Sequence, residues 1–245
     1  MVLAAGAGTR LRPLTELRPK ALCPVNNVAL LDWALDAVLP HVDAVAVNAH
    51  HLSDQVVAHL EGRGVHVSVE APVALGTAGA IGHLREWIEG RTVLVANADA
   101  WPPTDAEQLL DEWDGERIRL SVVGDAEQPD FDGGWRFAGM SLMAAADAAL
   151  LPSEPAGLYE ACWRDALDRG RVELVPRDGF FDCGTPGSYL AANLAANGGR
   201  SVIGAGARID GEVVRSVVWP GGVVEAGERL VDSIRTDTGL TVAAS

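Results

Sequence analysis

Short apolar runs alternate with helical patterns through the first half of the chain. The runs predict strands over Val2–Ala4, Ala44–Asn48, Val65–Val69, Val93–Ala96 and Leu120–Val123. Apolar residues at helical spacing predict helices over Leu30–Leu39, Ser53–Glu61, Thr77–Trp87 and Asp105–Trp113. This alternation predicts an α/β fold, a Rossmann-like and mostly parallel sheet covered by helices on both faces.

The second half changes in character along its length. An acidic, glycine-rich stretch from Asp125 to Trp135 predicts a loop, and helices are predicted over Leu158–Arg169 and Pro186–Asn197, the latter with proline in its first turn. After residue 198, apolar residues recur every few positions between glycines, without a helical period. This spacing of apolar residues and glycines resembles a few hexapeptide coils of a left-handed β-helix.

The pattern therefore predicts two parts, a main domain over residues 1–198 and a β-helical tail over residues 199–245. Roughly two coils are too few to be stable alone, because each coil buries its apolar face only against its neighbours. We expect the tail to pack on the main domain or on another subunit, where it could form a homo-oligomer.

Composition and charge narrow the class of protein. The net charge of −15 opposes non-specific nucleic-acid binding, which needs a basic face. No apolar run reaches the roughly 18–20 residues that span a bilayer, and the first residues lack the pattern of a signal peptide. Three widely spaced cysteines indicate neither a disulfide framework nor a zinc knuckle. These features favour a cytoplasmic protein that binds neither membrane nor nucleic acid.

A glycine loop, AGAGTRLRP at residues 5–13, directly follows the first predicted strand. Backbone N–H groups of such a loop can approach a phosphate closely, at the edge where parallel sheets bind ligands. The spacing matches neither the P-loop nor the dinucleotide fingerprint, and alone it fits an ordinary turn equally well. Lys20, a short distance beyond it, is the only lysine in the chain.

The loop and three later segments together resemble the signature of the sugar-1-phosphate nucleotidyltransferases. The segments are GAGTRLRPLT (6–15) with PKALCPV (19–25), LGTAG (75–79), NAD (97–99) and FDCGTP (181–186), in the order that the family shows. The resemblance covers about residues 1–198, and the tail fits the β-helical extension that many members carry. It implies the nucleotide-diphospho-sugar transferase type of fold.

The resemblance implies a reaction that joins a sugar 1-phosphate to a nucleoside triphosphate with release of pyrophosphate. Two anions must meet, so catalysis depends on positioning and on charge neutralisation. The implied catalytic residues are Arg10, on the β- and γ-phosphates, and Lys20, near the α-phosphate. Asp99 and Asp182 are the implied ligands of Mg²⁺, which binds a few carboxylates together with substrate phosphates. The implied substrate-binding residues are Ala5, Gly6, Gly8, Thr9, Glu70, Gly76, Thr77 and Gly139.

Several of these residues also fit simpler roles. Asp99 could cap the segment that follows it, and Asp182 could cap the helix beginning at Pro186. Glu70 could be a solvated strand end and Gly139 a strand glycine.

Other residues are assigned less specific roles. Glu154 and Asp130 are weaker candidates for contacts with sugar hydroxyls. Met140 and Met143 are expected in the core, and a structural role is favoured for His50 and His51, which have no third metal ligand.

Three features depart from the family pattern. Many members hold the sugar phosphate with a second lysine, which this chain lacks; Arg136 or Arg164 could replace it. The stretch between Val123 and Phe137 is short, which predicts a trimmed sugar subsite. The first strand starts close to Met1, so either it is short or the natural chain begins upstream.

Two other functions fit parts of the pattern. A nucleotide-sugar-dependent glycosyltransferase would share the sheet but usually shows a D-x-D motif, which residues 97–99 do not form. A non-catalytic nucleotide-sugar-binding regulator would be expected to lose Lys20, Asp99 and Asp182, all of which are present. An acyltransferase based on the tail is rejected, because the last histidine is His83. Among subfamilies, the motifs look most like mannose-1-phosphate guanylyltransferases or N-acetylmuramate-1-phosphate uridylyltransferases.

Overall fold

The structure, a computed structural model, describes residues 1–124 and 127–244. These residues form two compact units. The first combines Met1–Gly6 with Trp33–Phe180, and the second combines Ala7–Asp32 with the chain from Phe181 onward. The second unit thus joins the tail to the segment carrying Lys20, while the predicted boundary at residue 198 stays a prediction. Within the described ranges, no helix is long and apolar enough to cross a membrane.

The described residues contain nineteen strands, most of them short. In chain order, β1 to β19 are Val2–Leu3, Pro24–Val25, Val28–Ala29, Ala46–Ala49, His66–Val69, Val93–Asn97, Ala100–Trp101, Ile118–Val123, Arg136–Met143, Val172–Pro176, Phe181–Asp182, Val202–Ile203, Arg208–Ile209, Glu212–Val214, Val217–Val218, Val223–Val224, Arg229–Val231, Ser233–Arg235 and Thr241–Ala243.

Nine α-helices are formed in the same described part of the chain. In order, α1 to α9 are Leu14–Leu17, Leu30–Val38, Ser53–Leu60, Gly76–His83, Arg85–Ile88, Ala106–Leu110, Ala145–Ala149, Arg164–Asp168 and Pro186–Ala196. Short 3₁₀-helices cover Thr9–Leu11, Lys20–Leu22 and Leu39–His41, and a π-helix covers Tyr159–Trp163.

A seven-stranded sheet organises the first unit, in the order β10-β8-β9-β6-β1-β4-β5. Neighbouring strands are parallel except at β9, which is antiparallel to both β8 and β6. The predicted α/β class with a mostly parallel sheet is therefore confirmed. Met140 and Met143 are buried in this unit, as expected.

Two strands of this sheet, β9 and β10, were not predicted. Strand β9 is central and buried along most of its length, so its sequence lacks the alternation of a half-exposed strand. It also contains Gly139, whose positive φ of 90° interrupts a regular strand pattern. Edge strand β10 is a short run that lies close to the end of a predicted helix.

Two predicted helices are each divided in the structure. The segment predicted as Thr77–Trp87 forms α4 and α5, separated at Leu84, where the backbone leaves helical geometry. The segment predicted as Leu158–Arg169 begins as a π-helix and continues as α8. The first two residues of the predicted loop from Asp125 to Trp135 lie outside the described residues. Its remainder is irregular apart from one bridge between Phe131 and Trp135.

The described part of the tail, residues 199–244, forms three short sheets with parallel strand pairs in the second unit. Strand β12 pairs with β15 and β15 with β18, while β13 pairs with β16 and β14 with β17. Antiparallel β19 covers the outer edge of β18. Val218, Val224 and Leu230 form the buried core between these sheets. A β-rich tail is present as predicted, and its form as a left-handed β-helix stays a prediction.

Helix α9 has a well-defined start in the second unit. Thr185 accepts a hydrogen bond from the backbone N–H of Ser188, whose hydroxyl in turn accepts from the Thr185 backbone N–H. Pro186 occupies the first helical position, where its missing N–H costs nothing.

Candidate functional site

The carboxyl ends of three parallel strands meet in the first unit. Leu3 in β1 pairs with Asn48 in β4 on one side and with Asn97 in β6 on the other. The N–H of Ala98 also donates to the carbonyl of Leu3 at 3.1 Å. Strand β1 leads directly into Ala5 and Gly6, and β6 leads into half-buried Asp99. Predicted site residues from distant parts of the sequence therefore share one sheet edge.

A chain of hydrogen bonds crosses this edge through two buried side chains. Asn48 accepts from the N–H of Ala4 at 2.8 Å and donates to Glu70 Oε1 at 2.7 Å. Glu70 Oε2 accepts from the N–H of Leu75 at 2.7 Å, and the imidazole of His50 lies 2.9 Å from the Glu70 carbonyl oxygen. Glu70, at 3% exposure, is thus not a solvated strand end, and it ties the LGTAG loop to the start of the glycine loop. Its predicted contact with substrate stays a prediction.

The glycines of the LGTAG segment lie against main chain. A side chain on Gly76, whose φ is +70°, would come within 2.6 Å of the Ala156 carbonyl oxygen. One on Gly79 would come within 2.3 Å of the Glu154 carbonyl oxygen. Close backbone packing therefore accounts for both glycines, independently of any ligand.

Thr77 uses its hydroxyl within the fold. Its Oγ1 accepts a hydrogen bond from the N–H of Leu158 at 2.8 Å. The contact fixes the first turn of α4 against the start of the π-helix. The predicted substrate contact of Thr77 stays a prediction, and this hydrogen bond is a structural role that the sequence motif did not reveal.

Gly139 lies against the residue that follows Asp99. A side chain on Gly139 would come within 2.4 Å of the Cβ of Ala100, the residue after Asp99. Glycine is required there both by its positive φ and by this approach. Asp105, rather than Asp99, caps α6, accepting from the N–H of Glu107 at 3.0 Å. Helix α6 therefore does not depend on Asp99 for its cap.

In the second unit, Gly8 brings the glycine loop next to Lys20. Gly8 has a φ of +57°, and a side chain there would lie 2.7 Å from Thr15 Cγ2 and 3.1 Å from the Cβ of Lys20. Its carbonyl accepts from Thr15 Oγ1 and from the N–H of Leu11, both at 2.9 Å. The loop is thus held tightly and its backbone passes directly beside the only lysine of the chain.

Arg10 and Asp182 form an ion pair in the same unit. Arg10 Nη2 lies 3.2 Å from Asp182 Oδ2, and the side chains are 65% and 25% exposed. Gly184 makes room for the pair, since a side chain there would come within 2.7 Å of Arg10 Nη2. Because Thr185 is the cap of α9, Asp182 is not needed in that role. The predicted metal ligand Asp182 is therefore paired with a guanidinium here, and its role in binding Mg²⁺ stays a prediction.

Cys23 lies just beyond Lys20 and is fully buried. Burial raises the pKa of its thiol to about 12, so the thiol is protonated at neutral pH and is not a nucleophile.

The two basic side chains proposed to replace a second lysine each lie beside a different aromatic ring. The guanidinium of Arg136 lies 5.7 Å from the ring centroid of Phe180. The guanidinium of Arg164 lies 5.3 Å from the ring centroid of Tyr159. Both stay predictions. Arg177, which sequence reasoning missed, donates to the carbonyl of Pro102 at 3.0 Å and to a threonine hydroxyl, close to the segment that follows Asp99. Burial lowers the pKa of its guanidinium.

The weaker sugar-binding candidates take other positions. Asp130 accepts from the N–H of Phe137 at 2.9 Å, so its carboxylate holds a turn, while Glu154 is exposed and its main chain packs on α4. Throughout residues 1–124 and 127–244, no group of three or more His, Cys, Asp or Glu side chains is arranged to hold a metal ion. Any Mg²⁺ would need substrate oxygens as further ligands.

Sequence comparison places these residues in a known family. The chain belongs to the MobA-like NTP transferase domain family, whose profile matches residues 1–203. The match includes the glycine loop, Lys20, Asp99 and Asp182.

Individual relatives agree with this assignment. The N-acetylmuramate alpha-1-phosphate uridylyltransferase of Caulobacter vibrioides is 42% identical over 135 residues, which cover 50% of this chain and 56% of that protein. The enzyme of the same name from Neisseria meningitidis is 33% identical over 111 residues, 43% of this chain and 48% of that protein. The chain therefore matches about half the length of these curated relatives.

A solved structure extends the similarity of fold to nearly the whole chain. The Thermus thermophilus protein described as a mannose-1-phosphate geranyltransferase superimposes with a TM-score of 0.71 at 19% identity, over 99% of this chain and 94% of that one. At this identity the likeness concerns the fold, and it includes the β-rich tail.

Proposed function

We propose that this protein transfers a nucleoside monophosphate from a nucleoside triphosphate to a sugar 1-phosphate. An oxygen of the sugar phosphate forms a bond to the α-phosphorus, the bond from that phosphorus to the bridging oxygen breaks, and pyrophosphate leaves with the bonding electron pair. The products are a nucleotide-sugar and pyrophosphate. Family membership supports this class of reaction.

The observation that carries the proposal is the grouping in the second unit. Gly8 holds the glycine loop beside Lys20, and Arg10 lies on Asp182. A triphosphate and its counterion require a loop with backbone donors, cationic side chains and a carboxylate. This group of residues supplies the loop, two cations of different shape and one carboxylate.

Each of these groups has a distinct role in the proposed mechanism. The planar fork of Arg10 suits bidentate contact with the β- and γ-phosphates. Lys20, a compact charge, neutralises the α-phosphate as its geometry changes during transfer. Ala5, Gly6, Gly8 and Thr9 supply the loop that holds the triphosphate.

We further propose that Asp99 and Asp182 bind Mg²⁺. The ion would supply charge neutralisation on phosphate oxygens. Replacing either aspartate by asparagine should raise the Mg²⁺ concentration needed for half-maximal turnover, measured by titrating the metal. An unchanged titration in both variants would contradict the assignment.

A panel of substrates tests the reaction itself. Pyrophosphate release is measured with GTP, UTP, dTTP and CTP, each with several sugar 1-phosphates, and reactions without the protein or without the sugar phosphate serve as controls. Release above the controls with at least one pair supports the proposal. Tight nucleotide binding without release for any pair would favour a regulator instead, and consumption of a nucleotide-sugar would favour a glycosyltransferase.

The first pair to test is UTP with N-acetylmuramate α-1-phosphate. The 42% identity to the Caulobacter vibrioides enzyme motivates this choice. GTP with mannose 1-phosphate is the second pair, because the motifs resemble that subfamily as well. A cytoplasmic location and a homo-oligomer formed through the tail stay predictions.

A further inference from the structure

A buried tryptophan connects the tail to helix α9. Trp219 directly follows β15 and is fully buried, as is Tyr189 in α9. The indole Nε1–H of Trp219 donates to Tyr189 Oη at 3.0 Å. A buried hydrogen bond between two aromatic side chains is costly to break, because each polar atom would be left without water.

The same tyrosine continues the connection to the segment that carries Lys20, residues 18–24. The hydroxyl of Tyr189 donates to the carbonyl of Pro24, which also accepts from Asn193 Nδ2 at 3.4 Å. The N–H of Cys23 donates to the carbonyl of Lys20 at 3.0 Å. A relay of hydrogen bonds therefore runs from the tail through α9 to the backbone just after Lys20.

Trp219 also contacts the chain just before Lys20. The guanidinium of Arg18 lies 4.5 Å from the centroid of the Trp219 ring, within the range of a cation–π interaction. The lysine is thus flanked on both sides by residues that contact Trp219 directly or through Tyr189.

We infer that Trp219 is a positioning residue for Lys20, so that the tail takes part in nucleotidyl transfer; the inference rests on the proposed function. The base of the Lys20 side chain lies beside the glycine loop, since a side chain on Gly8 would lie only 3.1 Å from its Cβ. A small displacement of the segment would move the amine away from the α-phosphate. Misplacement of a catalytic group by ~1 Å can cost ~100-fold in rate.

Two substitutions remove the relay without removing the aromatic rings that fill the core. Trp219→Phe removes the indole donor, and Tyr189→Phe removes the hydroxyl that links Trp219 to Pro24. Trp113→Phe is the control for the loss of an indole donor, because half-buried Trp113 donates through Nε1 to the carbonyl of Arg117 at 2.7 Å, in the first unit and outside the relay.

The single lysine provides a readout that does not depend on activity. Protein labelled with ¹⁵N-lysine gives one backbone amide cross-peak from this chain, that of Lys20. We expect this cross-peak to shift in Trp219→Phe and in Tyr189→Phe but not in Trp113→Phe. The tyrosine variant excludes a trivial ring-current effect, because its ring is retained. An unmoved cross-peak in Tyr189→Phe overturns the relay.

Kinetics test the functional part of the inference. In Trp219→Phe we expect kcat to fall ~10-fold while the KM for the nucleoside triphosphate changes less than ~2-fold, because Lys20 acts in transfer rather than in ground-state binding. Trp113→Phe should keep the wild-type kcat. A wild-type kcat in both relay variants overturns the inference.

The two levels of failure can be distinguished. If the wild-type protein releases no pyrophosphate with any substrate pair, the proposed function fails and a catalytic role of the tail fails with it. The Lys20 cross-peak would still decide whether the tail positions the lysine. If turnover is present and the cross-peak and kcat are both unchanged in the variants, only the present inference is overturned.

Discussion

At the scale of single residues, the sequence indicates which side chains suit the proposed chemistry. It does not indicate which other residues they contact in the fold. The motifs single out Lys20, Asp99 and Asp182 because few residue types can neutralise phosphates or bind Mg²⁺. Nothing in the local sequence indicates that Asn48 joins the glycine loop to Glu70, because those contacts are long-range and depend on strand register. The structural role of such side chains can be identified only from the three-dimensional structure.

Lys20→Arg tests the need for a compact charge. The loop backbone at Gly8 leaves little space around the base of this side chain, and a guanidinium is larger, planar and more directional than an amine. We expect kcat to fall by ~100-fold or more while the melting temperature stays within a few degrees of wild type. Turnover close to wild type would remove Lys20 from the mechanism.

Gly8→Ala and Gly6→Ala form a matched pair within one loop. An added methyl at Gly8 would meet Thr15 in a left-handed backbone, whereas at Gly6 it would meet no atom within 4 Å. We expect the free energy of unfolding to fall by about 1–3 kcal/mol for Gly8→Ala and by less than about 0.5 kcal/mol for Gly6→Ala. Urea denaturation gives both values, and equal losses would contradict the structure.

At the scale of elements, the sequence predicts strands that consist of a continuous apolar run. It does not predict strands whose apolar run is interrupted by a glycine. Strand β6 reads as a continuous apolar run, as a buried parallel strand should. Strand β9 is equally buried, but Gly139 and its tight approach to Ala100 break the pattern. The division of the predicted Thr77–Trp87 helix likewise lies beyond local propensity, since packing against the chain around Glu154 governs α4.

Gly79→Ala tests whether this packing outweighs helix propensity. Alanine favours a helix over glycine by about 1 kcal/mol, yet a methyl at Gly79 would come within 2.3 Å of the Glu154 carbonyl oxygen. We expect a net loss of about 1–3 kcal/mol in the free energy of unfolding. Gly187→Ala in α9 is the control, because its methyl would lie 3.4 Å from the Ala244 carbonyl oxygen, an ordinary contact. A stabilised Gly79→Ala protein would contradict the packing.

At the scale of the whole molecule, each of the two units combines segments that are far apart in the sequence. The pattern correctly predicts a mostly parallel α/β sheet and a β-rich tail. It does not predict that residues 7–32 belong to the same compact unit as the tail. Contacts such as the hydrogen bond from the N–H of Asn26 to Asn193 Oδ1, 3.0 Å long, join segments far apart in the chain, and periodicity carries no information about them.

Alkaline pH should weaken the fold as a whole. Burial raises the pKa of Cys23 to about 12 and that of Cys162 to about 11, and it raises the pKa of Tyr189 well above its ordinary value. These groups stay protonated in the folded state while the unfolded chain ionises, so their contribution to stability is complete below about pH 8 and is lost as pH rises through the pKa values of the unfolded thiols and phenol.

We therefore expect the free energy of unfolding to decrease steadily between pH 9 and pH 11, by up to about 1.4 kcal/mol per pH unit for each fully buried group. Urea denaturation at several pH values measures this slope. Cys23→Ala should reduce the slope by the share of one group, even if it lowers stability at every pH. A slope that is flat or positive in the wild-type protein would contradict the burial of these groups.

The scarcity of lysine has a practical consequence for anyone who handles this protein. Reagents that acylate amines, such as those used to attach fluorophores or to couple proteins to sensor surfaces, find one side-chain target in the chain, and it is Lys20. Molecules coupled through that side chain would be attached at their own proposed catalytic centre. Site-specific attachment through an engineered surface cysteine would leave that centre available.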